Sequence, residues 1–364
     1  MRDNELIFFH AFSSIGGFGP QKFSKLLSCF GTLERAWGAS EKELADSDIG
    51  PAAVNSLLKK RNELDPEKLF SRLKEEDIGL ITQNHEAYPP QLKEISSAPA
   101  VLYARGNFEI LKNKSLAVVG SRKFTEYGKR ATQGLCRDLV RAGLAIVSGL
   151  ALGIDAIAHR ATLDAGGATI AVLGTGIDDP TIYPRDNFNL AQDILSGGGV
   201  LLSEFPPETP SLKQNFPARN RIMAGLSLGT LVVEATLESG SLITAGLALE
   251  ANREVFAVPG PIFSLQSAGA NFLIKNGAKL VESASDILQE LNLSQVGKSS
   301  SQKIFEPKGR EEKMVWNVLS SDPLHVDRIA KLTKLNPAVV GSTLAMMEIQ
   351  EAVRNVGGQN YVRC

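Results

Sequence analysis

The chain has 364 residues, 43% of them hydrophobic and 22% charged, with a formal net charge of -1. That length calls for two or three domains rather than one core, and the composition excludes a chain that cannot build a core. Near-neutrality excludes a domain-wide basic field, so any polyanion must be held by a local cluster of cations.

Three cysteines, Cys29, Cys136 and Cys364, and four histidines, His10, His85, His159 and His325, are scattered with no paired spacing. This pattern predicts neither a metal site nor a disulfide framework, and it fits a reducing cytoplasm. The N-terminal stretch meets acids and then glycines too soon for a signal peptide or a membrane span.

Residues 1–65 read as short helices. They are joined by the glycine-bearing turns "IGGFGP" at Ile15 to Pro20 and "DIGPAAV" at Asp48 to Val54. In the first, glycines allow a tight turn, and the amides at the next helix start either receive a phosphate or serve only as punctuation.

Residues 66–292 form the second expected domain. From about residue 100 short apolar runs alternate with helical stretches: "SLAVVG" at 115, "LAIVSG" at 144, "ATIAVLG" at 168, "GVLLSE" at 199, "GTLVVEA" at 229, "EVFAVPG" at 254 and "AKLVES" at 278. Continuous Val, Leu and Ile runs are strands buried on both faces, and the helices between them imply crossovers in a doubly wound, mainly parallel α/β sheet. Ligands of such a sheet bind outside the carboxyl ends of its strands. Residues 293–309, rich in Ser and Lys, read as a linker. Residues 310–364 read as three helices and a hairpin turning at Gly357 and Gly358, a winged helix.

The first parallel strand runs into "VVGSRKFTEYGKR". Gly120 and Ser121 at a strand end offer amides and a hydroxyl to a phosphate, and Arg122 and Lys123 add charge. Between Lys112 and Arg130 six cations face one acid. The three-glycine dinucleotide spacing is missing, so no nicotinamide or flavin cofactor is expected. Asp155 and His159, four apart on one predicted helix, form a pair that packing and the helix dipole explain without catalysis. Arg185 and Asn187 lie in a loop expected on the same sheet edge.

The long irregular stretch "EFPPETPSLKQNFPARNR" supplies Lys213, Phe216, Arg219, Asn220 and Arg221 within nine positions. Cations tracking phosphates beside an aromatic that accepts a base face is what single-stranded nucleic acid requires. The competing reading makes Phe216 core and pairs the arginines with Glu204 and Glu208.

"GSR" at 120, "SGLALGIDAIAH" at 148, "LSEFPP" at 202, "NFPARNRIMAGLS" at 215, "VVEA" at 232, "SGSLITA" at 239 and "VFAVPG" at 255 occur in order over about 170 residues. Together they resemble the DprA, or Smf, DNA-processing family. The resemblance implies an extended Rossmann-like domain flanked by a sterile-alpha-motif-like helical domain and a winged helix. It also implies a cytoplasmic, non-enzymatic homodimer that binds and protects single-stranded DNA and helps load the RecA recombinase in natural transformation.

By position in these motifs, Gly120, Ser121 and Arg122 would hold the DNA backbone. Lys213 and Phe216 would supply charge and stacking, and Arg219, Asn220 and Arg221 would complete the pocket. Asn271, Ile274 and Leu280 are the expected dimer surface. The predicted recognition helix, Pro337 to Glu351, has no Lys or Arg, so the tail is expected to serve protein contacts or weak DNA contact through Arg354, Arg363 and the wing. A looser resemblance links "SLGTLVVEA" to nucleotide-hydrolysing Rossmann enzymes of the lysine-decarboxylase-like group, with Glu234 in the catalytic place. Met223, Ala224 and Leu226 stand where that group has glycines.

Overall fold

The computed structural model describes residues 3–293, 307, 309–320, 322–350 and 352–363. Most of the predicted linker, 293–309, lies outside the described residues. The chain divides into two compact units, Met1–Gly297 and Lys298–Cys364.

The first unit opens with six helices: α1 (Asp3–Ile15), α2 (Pro20–Phe30), α3 (Leu33–Gly38), α4 (Glu41–Asp46), α5 (Pro51–Lys60) and α6 (Pro66–Glu75). Their starts follow local chemistry. Thr32 and Ser40 cap α3 and α4 through their side chains, and Pro20, Pro51 and Pro66 occupy first turns, where a missing N–H costs nothing. Phe9, Phe12, Phe23 and Leu26 of these helices share one buried cluster with Tyr103, Leu173 and Ile194 of the sheet region. His10 Nδ1 lies 2.8 Å from the Tyr103 hydroxyl. The expected boundary at residue 65 therefore divides two kinds of element that share one core.

The sheet region comprises β1 (Gly79–Thr82), α7 (Pro90–Lys93), β2 (Val101–Gly106), β3 (Ser115–Val119), α8 (Glu126–Arg141), β4 (Ala145–Ser148), α9 (Ile154–Asp164), β5 (Thr169–Leu173), α10 (Phe188–Ser196), β6 (Val200–Ser203), α11 (Asn215–Leu226), β7 (Gly229–Val232), α12 (Gly240–Glu250), β8 (Glu254–Ala257), α13 (Ala268–Lys275), β9 (Lys279–Leu280) and α14 (Ala284–Glu290). Nine strands make one sheet in the order β1-β2-β6-β5-β4-β3-β7-β8-β9. The seven predicted strands, β3 to β9, are all parallel to their neighbours within the set. The sequence reading missed the antiparallel pair β1 and β2, which extends the sheet beyond β6.

Alternation along the strands divides the core between the two faces. Ile170 and Val172 of β5 join a cluster with Ile222 and Met223 of α11, while Ala171 and Leu173 face the cluster that holds α1 to α6. Order in the chain reverses between β3 and β7: β4, β5 and β6 follow on one side, β8 and β9 on the other. The crevice between the carboxyl ends of β3 and β7 is therefore the topological switch point.

The second unit comprises α15 (Arg310–Val318), β10 (Leu324–His325), α16 (Val326–Thr333), α17 (Pro337–Ile349), β11 (Val353–Asn355) and β12 (Asn360–Arg363). Its three helices enclose Val315, Ile329, Val340, Leu344 and Met347, and a three-stranded sheet in the order β10-β12-β11 completes the winged-helix pattern. Asn336 caps α17 by accepting the Ala338 N–H at 2.9 Å.

Candidate nucleic-acid interface

The loop after β3 is fixed on three sides. Ser121 N–H donates to the Glu234 carbonyl at 2.7 Å, bridging the ends of β3 and β7. The Ile154 N–H at the start of α9 donates to the Ser121 carbonyl at 3.2 Å. Gly153, at φ +85°, lies so close to the Ser121 carbonyl and Arg122 Cα that no side chain fits. Gly120 is equally confined, since a Cβ there would stand 2.7 Å from Ile154 Cγ1. The Ser121 hydroxyl donates to the Lys123 carbonyl at 2.8 Å and accepts its N–H at 3.0 Å, which closes the turn. Arg122 and Lys123 are left exposed on a rigid base.

Across the crevice stands the start of α11. Lys213 is exposed and Phe216 half-buried, its ring tilted 44° to that of Tyr183 with centroids 5.9 Å apart. Tyr183, Phe216 and Leu152 wall a small slot whose lining includes Arg122 and Arg219. A larger cleft of about 520 Å³ runs along the switch point and takes in Ser121, Arg122, Lys123, Phe216 and Asn220. The structure thus brings Gly120, Ser121, Arg122, Lys123, Phe216, Arg219 and Asn220 to one cleft, with Lys213 three residues before the Phe216 ring.

Several predicted contact residues also have internal partners. Arg219 is only 5% exposed, and its Nη1 donates to the carbonyls of Gly149, at 2.6 Å, and Val172, while Nε donates to Asn220 Oδ1 at 3.2 Å. Burial pulls its guanidinium down to about 10, against the pull of Asp155, so it stays charged at neutral pH. Arg221 forms an ion pair with Glu204, whose carboxyl burial raises against the attraction of Arg221. Asn187 is buried and donates to the carbonyls of Leu150 at 2.8 Å and Ala151 at 3.1 Å, which shapes the loop before α9. Arg363 donates to the Trp316 carbonyl from Nε at 3.1 Å and lies over the Trp316 ring at 4.3 Å. Arg185 is exposed, but it lies over the Phe188 ring at 4.1 Å and donates to the Asp179 carbonyl at 2.6 Å. Arg354 is exposed on β11.

The helix pair Asp155 and His159 points at different partners. Asp155 accepts the Gly149 N–H at 3.2 Å, and burial raises its carboxyl against Arg219 and the Gly149 and Ala151 amides. His159 is fully buried beside Thr169 Oγ1 at 2.9 Å, and burial lowers its imidazole to about 3, which leaves it neutral and out of reach of solvent. Glu234 is equally committed. Its carboxylate accepts the Thr125 N–H at 2.9 Å and the Thr125 hydroxyl at 2.5 Å, and so covers the N-terminal end of α8, where a Rossmann cofactor phosphate would otherwise sit. The looser resemblance to nucleotide-hydrolysing enzymes needs this carboxylate free in the crevice, and it is not. Among the described residues no group of three or more His, Cys, Asp or Glu is placed to hold a metal ion, and no helix is long and apolar enough to cross a membrane.

Of the predicted dimer residues, Asn271 donates to the Gly260 carbonyl at 3.0 Å and accepts its N–H at 3.2 Å, so its amide ties α13 to the loop after β8. Ile274 is half-buried and Leu280 exposed on the edge strand β9. Tyr183 lies in the loop that the sequence placed at this sheet edge, whereas the cleft wall formed by Ser239, Ser241, Thr244 and Gln266 was not singled out from the sequence. The signal was present in "SGSLITA", a serine-capped helix start following a strand end.

A doubly wound sheet, a cationic loop at its switch point and an aromatic slot beside it define a Rossmann-type protein with an open crevice outside its strand ends. Residues 79–292 match the family described as DNA recombination-mediator protein A, and residues 305–359 match the DprA winged helix domain. The chain belongs to the DprA/Smf family.

It is 49% identical to protein Smf of Escherichia coli over 219 residues, 60% of this chain and 58% of that protein. The chain therefore matches somewhat over half the length of that relative. It is 34% identical to protein Smf of Synechocystis over the full length of both chains. The crystal structure of DNA processing protein A from Streptococcus pneumoniae superposes with a TM-score of 0.67 at 37% identity, covering 78% of this chain and 97% of that one. The structure of the Helicobacter pylori protein, described for its single-stranded DNA binding mode, superposes with a TM-score of 0.54 at 30% identity over 60% of this chain and 96% of that one.

Proposed function

We propose that this protein binds and protects single-stranded DNA at the carboxyl edge of its parallel sheet, and that it delivers the strand to a RecA recombinase during DNA processing in natural transformation. One observation carries the reading: Arg122 and Lys123 are held exposed by an immobilised loop and share a cleft with the half-buried Phe216. Phosphates meet Arg122, Lys123 and Lys213. A base meets Phe216, Asn220 lines the floor, and Gly120 and Ser121 set the backbone of the loop. Arg219, Arg221 and Asn187 build the pocket from beneath, and Arg185 stands at its flank. The DNA bound by the Helicobacter pylori relative supports the same ligand here.

In this reading the protein works in the cytoplasm without turning over a substrate. It pairs as a homodimer through the edge of β9 and the exposed face of α13, where Phe272, Ile274 and Leu280 lie. Titration of a fluorescent oligothymidylate at several salt concentrations tests the DNA site. Affinity falls steeply with salt, and Arg122→Ala with Lys213→Ala both weakens binding and flattens the slope by about two phosphates' worth. Unchanged affinity in the double variant would sink the assignment. Light scattering on Leu280→Asp tests the dimer, which should fall to a single chain.

A further inference from the structure

The switch-point cleft has two walls, and the DNA reading above uses only one. Opposite Ser121, Arg122 and Lys123 lies the N-terminal end of α12, where Ser239, Gly240 and Ser241 line the cleft together with Thr244 and Gln266. The cleft volume of about 520 Å³ falls within the roughly 300–1,000 Å³ of small-ligand sites, enough for a nucleotide-sized unit.

Three helix starts gather at this edge, and they are treated differently. The end of α8 is covered by Glu234, and the loop amides at the start of α9 are taken by Asp155. The 11-residue α12 has no acidic residue in its first turn: the Ser239 hydroxyl caps the Ser241 N–H at 3.4 Å and lies 2.7 Å from the Ser241 hydroxyl, and among the described residues no carboxylate covers this end. Its amide end keeps the positive pole of the helix turned toward the cleft.

Independent of the helix end, two polar side chains in this wall lack partners. Thr244, one turn further along α12, is 1% exposed, yet its hydroxyl meets no hydrogen-bond partner among the described residues. Gln266 Oε1 is buried without a partner in the same wall. A buried polar group left unpaired is costly, and an amide can present either its oxygen or its NH₂ to a ligand. Asp155, the acid of the cleft, is already engaged by the Gly149 and Ala151 amides and faces Arg219.

We propose that the N-terminal end of α12 is a second phosphate subsite, in which the Gly240 N–H and the Ser241 and Thr244 hydroxyls donate to phosphate oxygens across the cleft from Arg122. The proposal rests on the DNA reading for the neighbouring phosphate. The same chemistry would take a phosphodiester of the bound strand or the phosphate monoester of a free nucleotide.

The test uses the full chain and an oligothymidylate in which one neutral methylphosphonate replaces each linkage in turn. Two positions should weaken binding in the unaltered protein. Arg122→Ala should erase sensitivity at one, and Ser241→Ala with Thr244→Val at the other, with affinity lowered roughly tenfold or more, as for two lost hydrogen bonds to a charged group. An unchanged thermal midpoint confirms that the double variant folds. Direct titration with thymidine 5′-monophosphate separates the two sources: binding that depends on Ser241 and Thr244, in the absence of a second sensitive linkage, assigns the subsite to a free nucleotide. A single sensitive linkage together with no Ser241-dependent binding of the monophosphate overturns the subsite. If no oligonucleotide binds at all, the DNA reading fails, and the monophosphate titration still decides the subsite.

Discussion

Arg219 Nη1 donates to the Gly149 carbonyl at 2.6 Å, and the same nitrogen donates to the Val172 carbonyl, so one guanidinium ties the ends of β4 and β5 beneath the cleft. Gly149 has no room for a Cβ against this guanidinium, which accounts for glycine at that strand end. A lysine cannot fork to both carbonyls and Asn220 at once. Arg219→Lys should therefore cost about 2 kcal/mol in urea denaturation, in the range for a buried carbonyl left unpaired. DNA affinity should fall with it at an unchanged salt slope if the guanidinium serves to hold these carbonyls beneath the cleft. A slope lowered by about one would instead make Arg219 a phosphate contact.

Phe216→Ala should weaken binding of single-stranded DNA by about 1–3 kcal/mol, the usual worth of a base on an aromatic face, and leave the salt slope near its original value. Tyr183 stands beside it with the rings tilted at 44°, so Tyr183→Ala should act in the same direction. A slope that changes as much as in Arg122→Ala would rule out stacking as the role of Phe216.

Much of the fold could be read in the sequence because buried parallel strands write themselves as unbroken apolar runs, and β3 to β9 all carry that mark. The β1 and β2 pair did not: "GLIT" is four residues long, and "VLYARG" ends in a charged residue and a glycine, so neither gives a run long enough to separate from a loop. At the candidate site, the placement of Gly120, Ser121 and Arg122 at the end of β3 was legible because a glycine closing an unbroken apolar run marks where the strand stops. The orientation of Arg219, Asn220 and Arg221 was not. Adjacent positions on α11 point about 100° apart, and only the tertiary placement of Glu204 and the β4 and β5 carbonyls decides which of them turns inward. Asn187 escaped for the same reason, since its carbonyl partners lie 36 and 37 residues away in the chain.

Acid should loosen the first unit through two neutral buried imidazoles. Burial lowers His10 from 6.5 to about 4, so above pH 6.5 both folded and unfolded chains leave it unprotonated. Between pH 6.5 and about 4 the unfolded chain binds a proton that the folded chain refuses, and stability falls as pH falls through that window. For His10 alone the loss between pH 7 and about pH 5 is about 2 kcal/mol, and His159, lowered to about 3, adds a comparable amount. His10→Gln keeps a polar group near the Tyr103 hydroxyl and removes the titration. Its urea midpoint should accordingly drop about half as far as that of the unaltered protein over this range. An equal drop in both proteins would place the acid sensitivity elsewhere.

Glu234 decides between holding α8 and serving chemistry in the crevice. Its carboxylate takes the Thr125 N–H and hydroxyl, and Gly128, one turn into α8, packs directly against it with no space for a Cβ. Glu234→Gln removes a negative charge from a helix N-terminal end and one of two good acceptors, a loss of about 1–2 kcal/mol. Gly128→Ala drives a methyl into the same carboxylate and should destabilise further, because the group it meets is buried and cannot swing into solvent. Thermal denaturation of both variants reads this directly, and phosphate release from nucleoside triphosphates should be at background in the unaltered protein and in Glu234→Gln alike. Phosphate release above background that vanishes in Glu234→Gln, with the thermal midpoint unmoved, would return the carboxylate to the crevice and make this chain a nucleotide hydrolase.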